Sequence, residues 1–166
     1  GKLPTAEARG FPLGGKYMSL PVRYGEAEFK YVKQTLLSQN ISPFFSNPDG
    51  GPLLQQFEKQ IAEATGTSLC VAVSSGTTAL HCALLALGVG HSDEVIVPSL
   101  TFSATASAVV MAGATPVFAD IDLATYTISI ESAKRMITPH TKAIIPVPLF
   151  GIPPLLGGFE QLGVER

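Results

Sequence analysis

The run Ser74-Ser75-Gly76-Thr77-Thr78 stands between two apolar stretches, residues 69–73 before it and 79–87 after it. Read as a turn from a buried strand into a helix, it offers the groups that hold a phosphate. Glycine admits a ligand close to the backbone, the first N–H groups of the helix have no intrahelical acceptor, and the hydroxyls add donors. A helix terminus contributes only about 0.3 to 1 kcal/mol to a neighbouring negative charge at an exposed site, so several contacts must share the task. The same residues also suit an ordinary N-cap, in which Ser or Thr satisfies free amides, and local sequence leaves both readings open. Neither a GxxxxGK[ST] loop nor a GxGxxG dinucleotide turn is present.

Phe102 follows the next apolar run, where it begins an expected helix. It can place an aromatic face beside a planar ligand held by the first loop, or it can pack in the core. Asp120-Ile121-Asp122 follows the third run and has the form of paired carboxylates that hold a divalent cation, although Asp is equally at home in turns. His81, His91 and His140 have no ligand spacing, and His81 reads as a core residue of its helix. Cys70 and Cys82 sit in apolar surroundings without metal or disulfide spacing and are expected to be buried, reduced thiols.

The elements that must carry these residues emerge from periodicity. Residues 1–24 form an irregular, glycine-rich arm. Residues 25–39 predict a helix with Phe29, Val32, Leu36 and Leu37 on one face, and 40–52 a loop broken by Pro43, Pro48, Gly50 and Gly51. A second helix spans 53–66, with Leu53, Leu54, Phe57, Ile61 and Ala64 at helical spacing and Gly66 as its stop. Strands at 69–73, 94–97, 115–119 and 142–147 then alternate with helices at 77–87, 102–112 and 131–137, and 151–166 returns to an irregular tail. Apolar strands alternating with helices imply a three-layer α/β/α domain with a largely parallel sheet. In such sheets ligands bind beyond the carboxyl ends of the strands. The loops starting at Ser74, Pro98 and Asp120 are therefore where chemistry is expected.

Composition narrows the function. Charged residues make up only 14% of the 166 residues against 46% hydrophobic, where roughly 25% charged is usual, so much of the surface is expected to be covered. A net charge of −2 supplies no basic footprint for nucleic acid or anionic lipid. The uncharged stretches are interrupted by Ser, Thr, Gly and Pro, unlike a membrane span. The expected location is cytoplasmic.

Four stretches in order, CVAVSSGTTALH (70–81), GHSDEVIVPSLTFSA (90–104), GATPVFADID (113–122) and ITPHTKAIIPVPLFG (137–151), resemble the DegT/StrS family. These are sugar aminotransferases that use pyridoxal 5'-phosphate on the fold-type I scaffold. The resemblance covers roughly residues 20–151 and implies that residues 25–150 are part of the large, cofactor-binding domain of such an enzyme. It implies that Gly76, Thr77 and Thr78 cradle the cofactor phosphate and that Phe102 stacks on its pyridine ring. It assigns no duty to Asp120 or Asp122, no metal, and no catalytic residue within this chain. In a complete enzyme an amino acid, usually glutamate, would give its amino group to a keto-sugar carried on a nucleotide, in a homodimer.

The chain departs from the family at Pro148, where a His usually precedes the aromatic-glycine pair, and in the proline-rich loop of 38–52. No counterpart of the lysine that bonds the cofactor, or of the carboxylate that pairs with the pyridine nitrogen, is expected in 151–166. Lys2, Lys16, Lys30, Lys33, Lys59, Lys134 and Lys142 fall in the arm, on solvated helix faces or at the entry end of a strand. The expectation is therefore an N-terminal part of a sugar aminotransferase, inactive by itself. The alternatives are a non-catalytic chain that keeps the fold for cofactor binding or pairing, and a metal-dependent nucleotide-sugar transferase using Asp120 and Asp122.

Overall fold

A computed structural model describes residues 12–13, 16–17, 24–38, 50–160 and 162. The arm expected over 1–24 and the loop expected over 40–52 lie almost wholly outside them. The chain divides into two compact units, Gly1–Cys70 and Val71–Arg166.

In the first unit, β1 (Pro12–Leu13) and β2 (Lys16–Tyr17) pair antiparallel. Helix α1 spans Glu26–Leu37, with Glu28 reaching back to accept the Gly25 N–H at 2.6 Å. That bond holds the Glu28 carboxyl below its usual range, so this contribution to the helix end is present above the ordinary carboxylate pKa and lost as pH falls through the lowered one. Helix α2 spans Pro52–Thr65 and ends on Gly66 in the left-handed conformation (φ 70°), as its sequence predicts.

The second unit holds the layered domain. Strands β3 (Glu94–Pro98), β4 (Thr115–Ala119) and β5 (Thr141–Ile144) form a parallel sheet in the order β4-β3-β5. Helices α3 (Gly76–Ala86), α4 (Ala104–Met111) and α5 (Ile130–Arg135) alternate with them, since a parallel partner requires a crossover. Pro116 is accommodated because β4 lies at an edge of this sheet.

Side-chain alternation along β3 divides the core. Val95 and Val97 pack with Leu84 of α3 and Ala108 and Val109 of α4, while Ile96 faces Ala119, Ile128 and Ala133 on the other side. The sheet is thus covered on both faces, and the three-layer α/β/α architecture is observed.

Two expectations about the elements need correction. Residues 69–73 form no strand. Leu69 and Val71 remain 75% and 66% exposed, because apolar character prescribes burial, whereas a strand also needs a neighbour with which to exchange hydrogen bonds. The tail is not wholly irregular either: helix α6 spans Leu156–Glu160, and its Phe159 packs against the Ile96 cluster. Gly157 and Gly158 read as breakers in sequence, yet a Cβ on Gly158 would collide with the Ile130 side chain. Glycine there permits close approach.

Candidate functional site

Ser75 stands at the start of α3 in extended conformation (φ −161°, ψ 162°), and its Oγ accepts the Thr78 N–H at 3.1 Å. The Ala79 N–H donates to the Ser75 carbonyl at 3.0 Å and opens the helical series. The N-cap reading is therefore correct, and it leaves a remainder. The N–H groups of Gly76 and Thr77 have no partner among the described residues, nor has the Thr77 hydroxyl. The Thr78 hydroxyl lies 3.0 Å from Ser75 Oγ and 3.4 Å from Ser74 Oγ. At Gly76 an added Cβ would meet nothing within 4 Å, so the space beside the two free amides is open. Two convergent donors, an adjoining hydroxyl and room for a ligand fit a phosphate group.

The neighbouring loop presents Phe102. It precedes α4 instead of starting it, since the Thr101 and Thr105 hydroxyls meet at 2.9 Å and the Thr105 N–H returns to the Phe102 carbonyl at 3.1 Å. Core packing does not describe this residue, which is 77% exposed. The Ser99 N–H donates to the Ala119 carbonyl at 2.8 Å, joining the loop after β3 to the end of β4. Helix α3 packs its Leu80 and Leu84 on the Val95 and Val97 face and connects from its carboxyl end to the start of β3. It therefore runs opposite to β3, and Gly76 and Phe102 belong to the same edge of the sheet.

Asp120 also lies at that edge. Its N–H donates to the buried Ser132 Oγ at 2.9 Å, and its carbonyl accepts the Ser129 N–H at 2.9 Å. Asp122 serves a turn: its Oδ1 accepts the N–H groups of Ala124 and Thr125 at 2.7 and 3.1 Å. No group of His, Cys, Asp or Glu able to hold a metal occurs among the described residues.

His81 is half-buried on α3, and His91 and His140 are exposed. The expected burial of both thiols is not observed: Cys70 is half-buried and Cys82 exposed, both free. Helix α3 is apolar nearly all round, but within this unit only its Leu84 is fully buried, so Cys82 and Leu85 remain uncovered. Of the second unit's lysines, Lys134 lies in the last turn of α5 and Lys142 near the start of β5, exposed at the opposite edge from Phe102.

One feature escaped sequence reading. Tyr126, in the loop after β4, meets Phe150, in the turn after β5, edge to face with centroids 6.2 Å apart. The Phe150-Gly151 pair was visible as a motif, but nothing local to Tyr126 announced its partner.

The signature of the DegT/DnrJ/EryC1/StrS aminotransferase family matches residues 23–162, past Gly151 and through the whole of α6. Among curated relatives, the chain is 48% identical over 101 residues to a GDP-perosamine synthase of Caulobacter vibrioides, an alignment covering 61% of this chain and 27% of that protein. It is 46% identical over 129 residues to the spore coat polysaccharide biosynthesis protein SpsC of Bacillus subtilis, covering 78% and 31% respectively. Among solved structures, the putative sugar aminotransferase Spr1654 of Streptococcus pneumoniae in its PMP form superposes with a TM-score of 0.76 at 37% identity, covering 84% of this chain and 33% of that one. The same protein is also known in a PLP form. The chain thus spans about a third or less of the relatives' length, and by signature, sequence and fold it belongs to the DegT/DnrJ/EryC1/StrS aminotransferase family.

Proposed function

We propose that residues 25–150 are part of the cofactor-binding domain of a pyridoxal-phosphate-dependent aminotransferase acting on nucleotide-linked keto-sugars, with glutamate as the usual amino donor. The observation that carries this reading is the pair of unpartnered amides at Gly76 and Thr77, open to a ligand at the edge that also presents Phe102. Bound there, pyridoxal phosphate would supply the chemistry that carries an amino group from donor to acceptor. The chain's own residues bind and orient it. Gly76 and Thr77 would donate to its phosphate, the Thr77 and Thr78 hydroxyls would add contacts, and Phe102 would cover one face of its ring. The two free thiols accord with a reducing, cytoplasmic location. Among the described residues no helix is long and apolar enough to cross a membrane.

The experiment that tests the ring contact compares Phe102→Trp with Phe102→Ala. Because Phe102 is 77% exposed, neither change should move the melting temperature by more than about 2 °C, on the usual scale of surface substitutions. Trp should keep pyridoxal phosphate, and Ala should weaken its binding by about two- to tenfold, the worth of an aromatic contact. Unfolding by Trp without a specific loss of cofactor would refute the stacking role.

Pairing belongs to the same proposal. Leu85, Val110 and Met111 in the second unit and Phe29, Leu36 and Leu37 in the first are exposed, and exposed apolar surface of this kind drives association. Sedimentation of the purified chain should reveal dimers or larger species at micromolar concentration. A well-dispersed monomer would count against a homodimer.

The specific observation that favours a second reading, cofactor binding without catalysis by these residues, is the lack of a lysine at the Phe102 edge in the second unit.

A further inference from the structure

Three non-glycine residues among those described take left-handed backbone conformations: Ser92 (φ 72°), Tyr126 (φ 58°) and Phe150 (φ 56°). Ser92 lies in the turn leading into β3. The other two are bulky aromatics, for which this region is a true outlier, and they are the two rings that touch. Both follow the carboxyl ends of their strands, at the edge shared by Phe102 and Asp120.

Turn chemistry does not explain the aromatic identities. The Tyr126 N–H bonds to the Asp122 carbonyl at 2.7 Å, and the Gly151 N–H to the Pro148 carbonyl at 3.1 Å; both closures need a backbone shape that glycine or asparagine adopts with less strain. Nor does the pair itself explain them, because strain at two such positions outweighs one edge-to-face contact. The rings also bury little: Phe150 is 78% and Tyr126 45% exposed. Strain kept at two touching positions beside a candidate site points to a use for the exposed ring faces.

We infer that Tyr126 and Phe150 form a contact surface for the pyranose ring of a sugar substrate. The apolar C–H face of a hexose matches an exposed phenyl face, and the Tyr126 hydroxyl can bond a sugar hydroxyl. The Asp120 backbone is held independently through Ser132 and Ser129, so the aromatic pair is not required to hold that end of the strand. This inference rests on the proposed sugar aminotransferase reading and names the side chains of its acceptor site.

The test uses the chain with pyridoxal phosphate and two probes, GDP-mannose and UDP-glucose, with GDP and UDP as controls. Phe150→Gly relieves backbone strain and should melt no lower than wild type while retaining cofactor. Saturation transfer to the hexose ring protons should fall, with affinity for the sugar nucleotide weakened by about two- to tenfold and affinity for the bare nucleotide unchanged. Tyr126→Phe keeps the ring and should lose about two- to tenfold through its hydroxyl alone. Equal transfer in wild type and Phe150→Gly, or equal weakening of sugar nucleotide and bare nucleotide, overturns the inference. So does wild type that retains cofactor yet transfers to neither probe. Wild type that fails to retain pyridoxal phosphate overturns the underlying functional reading instead.

Discussion

Gly76→Val should leave the chain folded and reduce its affinity for pyridoxal phosphate by about ten- to a hundredfold. A Cβ at this position meets no protein atom within 4 Å, and Gly76 does not hold a left-handed φ, so the fold itself tolerates a side chain. The added methyl groups instead fill the space from which a phosphate would reach the Gly76 and Thr77 amides. A hydrogen bond to a charged group is worth about 1.5 to 3 kcal/mol, and each 1.4 kcal/mol is tenfold in binding, which gives the stated range for one such bond. Thr77→Val keeps its amide and loses only the hydroxyl, so a loss of about tenfold is expected. Fluorescence titration with cofactor beside a melting curve checks both variants. Unaltered affinity in each would refute the cradle, and a collapse in melting temperature would show that Gly76 serves the fold.

The second large effect concerns catalysis: the 166 residues alone should bind pyridoxal phosphate without transferring amino groups. Transamination would need an amine at the cofactor to move a proton between the carbon of the bound substrate and a carbon of the cofactor, and positioned acid–base groups contribute about 10²- to 10⁴-fold. Lys142 lies near the start of β5 and Lys134 in the last turn of α5, so neither stands at the Phe102 edge. Borohydride reduction of the chain with pyridoxal phosphate, followed by peptide mapping, should give no stoichiometrically labelled lysine. One labelled lysine together with transfer from glutamate to a nucleotide-linked keto-sugar would identify a catalytic residue within this chain.

Much of this architecture could be read from the chain because local and long-range demands agree. Residues 94–98 alternate about the sheet so that Val95 and Val97 meet α3 and α4 while Ile96 meets α5, and glycines close α2, α3 and α4 at Gly66, Gly88 and Gly113 in left-handed conformations. Where partners decide the outcome, sequence was a poorer guide. The apolar run at 69–73 prescribes burial but not a pairing partner, and Cys82 looked buried because its helix is apolar nearly all round. In α6, Gly158 acts through contact with Ile130 across the fold, which no helix propensity encodes. The site shows the same division. A cap and a phosphate cradle use the same residue types at the same spacing, and only the fate of each amide separates them: the Thr78 N–H is taken by Ser75, and those of Gly76 and Thr77 are left over. The exposure of Phe102 and the left-handed aromatics likewise follow from tertiary placement.

That amide inventory supplies the most direct test of the central claim, that the start of α3 holds the cofactor phosphate. Backbone amide shifts of the isotopically labelled chain should be followed during titration with pyridoxal phosphate, with inorganic phosphate in parallel. The Gly76 and Thr77 amides should move furthest and saturate together in both titrations, while Thr78, whose N–H is bonded to Ser75 Oγ at 3.1 Å, should move less. Saturable shifts centred elsewhere, with Gly76 and Thr77 unmoved, would contradict the account.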